Sequence, residues 1–148
     1  MSCKQRRGFT LLETMIVMVI IGIIAAAVLP NIGKSLVDAR ESTALQHIRT
    51  IHTAQASYFS HHGEFAGSMA QLGPPPGAGL IPQDLSRGST MGYKFAIVPA
   101  SEGYAITAQP DPPRGSARSF YSDSSLVVHH AAGAGMATAV SPELGSSK

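Results

Sequence analysis

Between Phe9 and Leu29 the chain carries a single ionisable side chain, Glu13, in a run otherwise dominated by Leu, Ile, Val, Met and Ala. A carboxylate inside a spanning helix costs on the order of 2.5 to 3.5 kcal/mol at the centre and less near an end, so by default it marks a site with a partner. No basic residue within the run can be that partner. Three cations, Lys4, Arg6 and Arg7, stand immediately before it. The chemistry this pattern can support is charge pairing in an apolar setting.

Other candidate chemistry is sparse. The histidines fall as His47, His52, the pair His61-His62 and the pair His129-His130. Adjacent histidines project in different directions, and a spacing of five places two on poorly matched sides of a helix. No cysteine or carboxylate completes a zinc-type spacing, so surface or turn histidines are expected and no metal. No Gly-x-Ser-x-Gly elbow or phosphate-binding glycine loop occurs, which leaves catalysis and cofactors without support. The chain has 11 Lys and Arg against 9 Asp and Glu, with an isoelectric point near 8.9. Without Lys4, Arg6 and Arg7 the balance is 8 against 9, so the remainder offers no electrostatic case for nucleic acid. The one cysteine, Cys3, precedes the apolar run, so no disulfide is expected after it. The Phe and Tyr residues read as core packing rather than as a conducting stack.

These residues must be positioned by a long helix. At 1.5 Å per residue, 9–29 reach about 30 Å, the thickness of a bilayer's hydrocarbon core. The preceding cations hold the N-terminus in the cytoplasm and send the rest across. Beyond Pro30 an amphipathic pattern continues: Ile32, Leu36, Val37, Leu45, Ile48, Ile51 and Tyr58 recur at helical spacings, with Lys34, Asp38, Arg40, Glu41, Arg49 and Gln55 mainly between them. The pattern predicts one helix from about Phe9 to His61, ended at Gly63, with a soft stretch marked by Gly22, Pro30 and Gly33. Residues 63–92 read as loop with a short helical turn at 69–72. Strand patterning follows at 93–98 and 104–108 around a loop at 99–103, then at 119–122 and 126–129 around 123–125. The fold class is therefore α+β, a long N-terminal helix against a small antiparallel sheet of three or four strands. Residues 131–148, rich in Ala, Gly and Ser, are expected to be a mobile tail.

The basic leader ending in Gly8, the string Phe-Thr-Leu-Leu-Glu from Phe9 to Glu13 and the apolar run resemble the class III signal of type IV pilins and of the pseudopilins of type II secretion. The resemblance implies cleavage by a prepilin peptidase between Gly8 and Phe9, N-methylation of Phe9, and Glu13 as the assembly carboxylate. The new amine would lie four residues before Glu13 on the same helical face, within reach of it or of a neighbouring copy's Glu13. Gly22 and Pro30 fall where the family weakens this helix. Gly92-Tyr93-Lys94-Phe95, Gly103-Tyr104 and Phe120-Tyr121-Ser122-Asp123 are similar to strand motifs of pilin heads. The implied division is leader 1–8, transmembrane and filament-core helix 9–30, amphipathic continuation 31–62, head 63–130 and tail 131–148. The implied partners are further copies and other pilins in a helical filament, the prepilin peptidase, an inner-membrane platform protein and an assembly ATPase. The implied location is the inner membrane as a single pass, then an extracellular pilus or a periplasmic pseudopilus. One departure weighs against the major pseudopilin of type II secretion: without tryptophan there is no Asp-Pro-Trp-Gly motif, and no acidic cluster offers a calcium loop.

Two other readings fit the N-terminus. Ala25-Ala26-Ala27 after the apolar run also suits an ordinary secretory signal cut before Val28. An uncleaved anchor carrying a non-polymerising binding module is the other. Glu13 is idle in both.

Overall fold

In the computed structural model, residues 9–28, 32–100, 103–113, 117–133 and 135–145 are described. Two helices come first, α1 (Leu11–Val28) and α2 (Ile32–His62). Two single-turn helices follow, α3 (Met69–Leu72) and α4 (Gln83–Ser86). The strands are β1 (Ser89–Thr90), β2 (Tyr93–Ala100), β3 (Gly103–Pro110), β4 (Ser119–Asp123) and β5 (Val128–Ala131), antiparallel neighbours in the order β1-β2-β3-β4-β5. The fold is α+β, with five strands rather than three or four. The additional strand is β1, two residues long and too short to show a period. The chain forms two compact units, residues 1–36 and 37–148.

The single helix expected from Phe9 to His61 is described as α1 and α2, and Pro30 lies outside the described residues. The 18 residues of α1 rise about 27 Å, short of the ~30 Å apolar core of a bilayer. Among the described residues no helix is long and apolar enough to cross a membrane.

Within residues 37–148 the core joins α2 to the inner face of the sheet. Ala44, Ile48, Ile51, Ala54 and Tyr58 of α2 are buried in one cluster with Tyr93, Phe95, Ile97, Tyr104, Ile106 and Phe120. The alternation Tyr93, Phe95, Ile97 points inward as expected, while Lys94, Ala96 and Val98 are exposed. The Phe95 N–H bonds outward to the Gly88 carbonyl at 2.8 Å, so Pro99, of the same parity, places its missing N–H on the sheet edge where it costs no ladder bond. Residues 63–92 are more ordered than their Gly and Pro content implies. Ala78, Leu80 and Ile81 donate back to the carbonyls of Gln71 and Leu72, and a Cβ built on Gly77 would run into the carbonyls of Gly73 and Ala70.

Three polar side chains of α2 are buried, and each is bonded to a different segment. Glu41, 4 % exposed, accepts from the Arg118 backbone N–H at 2.9 Å and from its Nε at 2.8 Å, with Nη2 at 2.7 Å. Gln55, fully buried, donates to the Ala66 carbonyl at 2.8 Å and accepts from its N–H at 2.9 Å. His52 sits between Tyr104 and Ser122. Ser122 Oγ gives its proton to the Val127 carbonyl at 2.9 Å, so it accepts from His52 Nε2–H at 2.8 Å, while unprotonated Nδ1 accepts from the Tyr104 hydroxyl at 2.7 Å. These placements correct the sequence reading, which put Glu41 and Gln55 between the buried positions and His52 on the surface. The reading weighed residue type, but Glu41, Ala44, Ile48, Ile51, Gln55 and Tyr58 step by three and four along one buried seam.

Two further expectations are corrected. The last strand begins at Val128, not Leu126, because Ser125 N–H and Oγ both bond Asp123 Oδ1 and Leu126 turns with φ 66°. This left-handed conformation is incompatible with a strand. The stretch after Ala131, expected to be mobile, is tied down in its described part. Ser119 Oγ donates to the Gly135 carbonyl at 2.5 Å and accepts from Ala137 N–H at 3.0 Å, and Ala137 is buried.

Glu41→Ala strips the carboxylate from a buried seam and leaves the Arg118 N–H without its acceptor. Because the Arg118 side chain is 43 % exposed, the loss should fall at the low end of that for a broken buried pair, about 3 kcal/mol, measurable by urea denaturation. Burial lowers the His52 pKa from 6.5, with Asp123 opposing, and burial lowers that of His47 in the same direction. Between the lowered folded value and 6.5 the unfolded chain takes up protons that the folded chain does not, so stability is complete above 6.5 and declines as pH falls below it. Denaturation between pH 7 and 5 should show this slope, and His52→Gln should reduce it; an unchanged slope in the variant rules out His52 as a source.

Candidate functional site

The N-terminal residues with possible chemistry meet at the start of α1. Gly8 lies outside the described residues. Phe9 is 79 % exposed, and Glu13 is exposed in the first helical turn, where a carboxylate suits the helix dipole. The Glu13 N–H donates to Thr10 Oγ1 at 3.2 Å, and Thr14 N–H bonds the Thr10 carbonyl at 3.2 Å. Thr10 is thus the residue before the helix, and Thr10-x-x-Glu13 has the spacing of a capping box, in which Ser or Thr and Glu or Gln satisfy each other's free amides. Sequence reasoning gave Glu13 a place in the first turn but missed Thr10, whose signal was that three-residue spacing. The capping bond is made by Thr10 Oγ1 to the Glu13 backbone N–H, so the helix start rests on the Thr10 side chain, and only the spacing gives the Glu13 carboxylate a place in a capping box.

Beyond Glu13, α1 has no polar face. Every described side chain from residue 9 to 26 is exposed, including about a dozen Phe, Leu, Ile, Val and Met. Soluble helices carry an apolar stripe, whereas one that is apolar all round is covered on all sides in its working state. Gly22 lies inside α1 and Gly33 at the start of α2, and a Cβ built at either would meet nothing within 4 Å. Neither glycine is required by packing within this chain. Glycine in a helix interior costs about 1 kcal/mol relative to alanine, so both leave local weak points.

The remaining histidines do not assemble. Among the described residues no group of His, Cys, Asp and Glu could hold a metal ion. His62 stacks on Tyr58 with ring centroids 4.1 Å apart, and His129 Nδ1 donates to the Ser141 carbonyl at 2.7 Å. The head aromatics are mainly in the core, apart from the partly exposed stack of Phe59 on Phe65.

Comparison with known proteins bears on this same N-terminus. The family described as the prokaryotic N-terminal methylation motif matches residues 3–29. The chain is 36% identical over 92 residues to the type IV major pilin protein PilA of Myxococcus xanthus, a match covering 62% of this chain and 38% of that protein. It is 37% identical over 68 residues to a fimbrial protein of Neisseria meningitidis serogroup B, covering 46% of this chain and 40% of that one. Against the type II secretion system core protein G of Escherichia coli K12 it is 40% identical over 63 residues, 41% of this chain and 43% of that protein. The chain spans about two fifths of the length of these relatives. No solved structure matches it.

Proposed function

We propose that this chain, which carries the prepilin-type signal of the type IV pilin and type II secretion pseudopilin family, is a structural subunit of a pilus-like helical filament. The observation that carries the reading is α1: apolar on every side, exposed along its described length, and bearing one carboxylate in its first turn. Such a helix needs lipid before assembly and other copies of itself after it. The leader is removed between Gly8 and Phe9 by a prepilin peptidase, and the new amine of Phe9 is methylated, which leaves it protonatable. Glu13 then pairs with the Phe9 amine of a neighbouring copy. The subunit waits in the inner membrane with its N-terminus in the cytoplasm, held by α1 and the residues flanking it, and is drawn into the filament by a platform protein and an assembly ATPase. Gly22, Pro30 and Gly33 give the helix the freedom to bend or loosen as it packs. No catalytic step is assigned to the chain. A periplasmic pseudopilus subunit is the second reading, favoured by the 40% identity to core protein G; recovery of the filament from sheared cell surfaces or from the periplasm separates the two.

Because Glu13 also stands in a capping spacing, the informative variant is Glu13→Gln. Glutamine serves in a capping box but carries no charge. Glu13→Gln should leave cleavage and membrane association intact and lower filament yield at least tenfold, as should Glu13→Ala. Normal yield from Glu13→Gln with loss only in Glu13→Ala would show that capping, not charge pairing, is what the residue supplies. Mass spectrometry of the mature N-terminus should find Phe9 with one methyl group. A start at Val28 would instead identify an ordinary secretory signal and remove the filament reading.

A further inference from the structure

The outer face of the sheet, turned away from α2, carries a groove of about 410 Å³ lined by Arg87, Ser89, Lys94, Ala96, Thr107 and Gln109. The strand register builds it. Ser89 stands opposite Lys94 and Lys94 opposite Gln109, so three polar side chains form one row across β1, β2 and β3. In the next row Ala96 faces Thr107, and the small alanine between Lys94 and Val98 leaves the floor open. Arg87 is brought to the rim because the Phe95 N–H bonds the Gly88 carbonyl at 2.8 Å. Gly88 has φ 74°, and a Cβ there would stand 3.0 Å from the Phe95 carbonyl, so a side chain at this position would push the rim off the strand.

The polar groups of the groove are not used within the chain. Among the described residues the side chains of Arg87, Ser89, Thr107 and Gln109 make no hydrogen bond or ion pair, although Thr107 and Gln109 are half-buried. Lys94 Nζ lies 3.0 Å from Asp111 Oδ2, which leaves it two further donors. Arg87 and Lys94 can only donate and carry positive charge, which suits a carboxylate, bidentate on the guanidinium. Ser89, Thr107 and Gln109 both donate and accept, which suits hydroxyl groups that do the same. A lipid chain would find little to pack on, since Ala96 is the only apolar side chain exposed in the groove and the Phe95 ring is buried in the core. A nucleic acid would need several free cations and stacking rings, and Arg87 is the one lining cation without an acidic partner. We propose that this groove binds an acidic sugar unit of a polysaccharide, with its carboxylate on Arg87 and its hydroxyls on Ser89, Thr107 and Gln109. The volume falls in the ~300–1,000 Å³ range of small-ligand sites. This does not depend on the filament reading.

The test is a nuclear magnetic resonance titration of the nitrogen-labelled full chain in detergent, with trigalacturonate as probe and galactotriose as its neutral counterpart. Trigalacturonate should move the amide signals of residues 87–89, 94–96 and 107–109, and galactotriose should bind about tenfold more weakly or less. Arg87→Gln should weaken trigalacturonate by about tenfold, while Arg49→Gln, which removes an exposed cation on α2, should leave it unchanged. Ala96→Leu, which fills the floor, should abolish binding with the melt of the head unchanged. The proposal is overturned if trigalacturonate moves none of these signals, or if Arg87→Gln and Arg49→Gln weaken it equally, which would mean attraction by net charge alone. Equal binding of galactotriose removes the role of the carboxylate and overturns it too. So does displacement of trigalacturonate by inorganic phosphate at equal concentration, which would mark a simple oxyanion site, or tighter binding of oligodeoxythymidylate to the same residues, which would mark a nucleic-acid site. Should Ala96→Leu fail to fold, the Arg87→Gln and Arg49→Gln comparison decides alone.

Discussion

The dominant physical constraint on the N-terminal unit is the exposed apolar surface of α1. About a dozen large apolar side chains between Phe9 and Ile24 are exposed on all sides of the helix. At about 1.5 to 3 kcal/mol for each side chain fully buried, covering them is worth on the order of 20 kcal/mol. Against that, the ~3 kcal/mol cost of carrying Glu13 into an apolar setting is minor. The apolar term decides that the helix will be covered and is indifferent to what covers it, since hydrophobic burial has no direction. Charge pairing, unlike burial, depends on direction and distance, and Glu13 is the charge that α1 carries in its first turn.

The same division operates in the head on a smaller scale. Ala44, Ile48, Ile51, Ala54 and Tyr58 select which side of α2 meets the sheet. Glu41, His52 and Gln55 fix where on that side each segment lands, because each satisfies groups that have no other buried partner. They reach the lead-in to β4, strands β3 and β4, and the chain just after α2. Sliding the sheet along the helix by one residue would strand His52 and pull Arg118 from Glu41, and a buried polar group left without its bond costs about 1 to 3 kcal/mol. Register is therefore enforced twice over a helix whose apolar seam alone would tolerate a slip, while Gln55 fixes the chain that leaves the helix.

What could be read from the sequence follows from which interactions leave a compositional trace. The alternation in Tyr93, Phe95 and Ile97 and the three-to-four periodicity of α2 are written in residue type, and both elements are where the pattern puts them. The N-terminal signal is dense enough to be matched as a family motif over residues 3–29. Glu41 and Gln55 were misplaced because a polar residue on a buried seam is invisible to an apolar count, though not to a count of positions. His52 was misplaced because the bonds that hold it, to Tyr104 and Ser122, join residues far apart in the chain. Strand β1 and helix α4 are too short for a period to register. The composition of the C-terminal segment implies mobility because Ala, Gly and Ser bury little surface. Its order comes instead from backbone hydrogen bonds and from one small side chain, Ala137, in a fitted place.

That last discrepancy connects the two ends of the chain. If α1 gathers copies side by side, their heads are held at effective concentrations near the millimolar range, whatever the amount in solution. Contacts too weak to matter between free monomers would then be populated, and an unpaired sheet edge is the most permissive of them. Under that arrangement the heads face a second requirement, that they not pair indiscriminately. Pro99 and β1 meet it at one edge, the first by lacking an N–H and the second by hydrogen bonds to β2. Residues 142–144 meet it at the other, with His130 N–H on the Pro142 carbonyl and Leu144 N–H on the Val128 carbonyl, so the β5 edge is satisfied by the chain's own backbone.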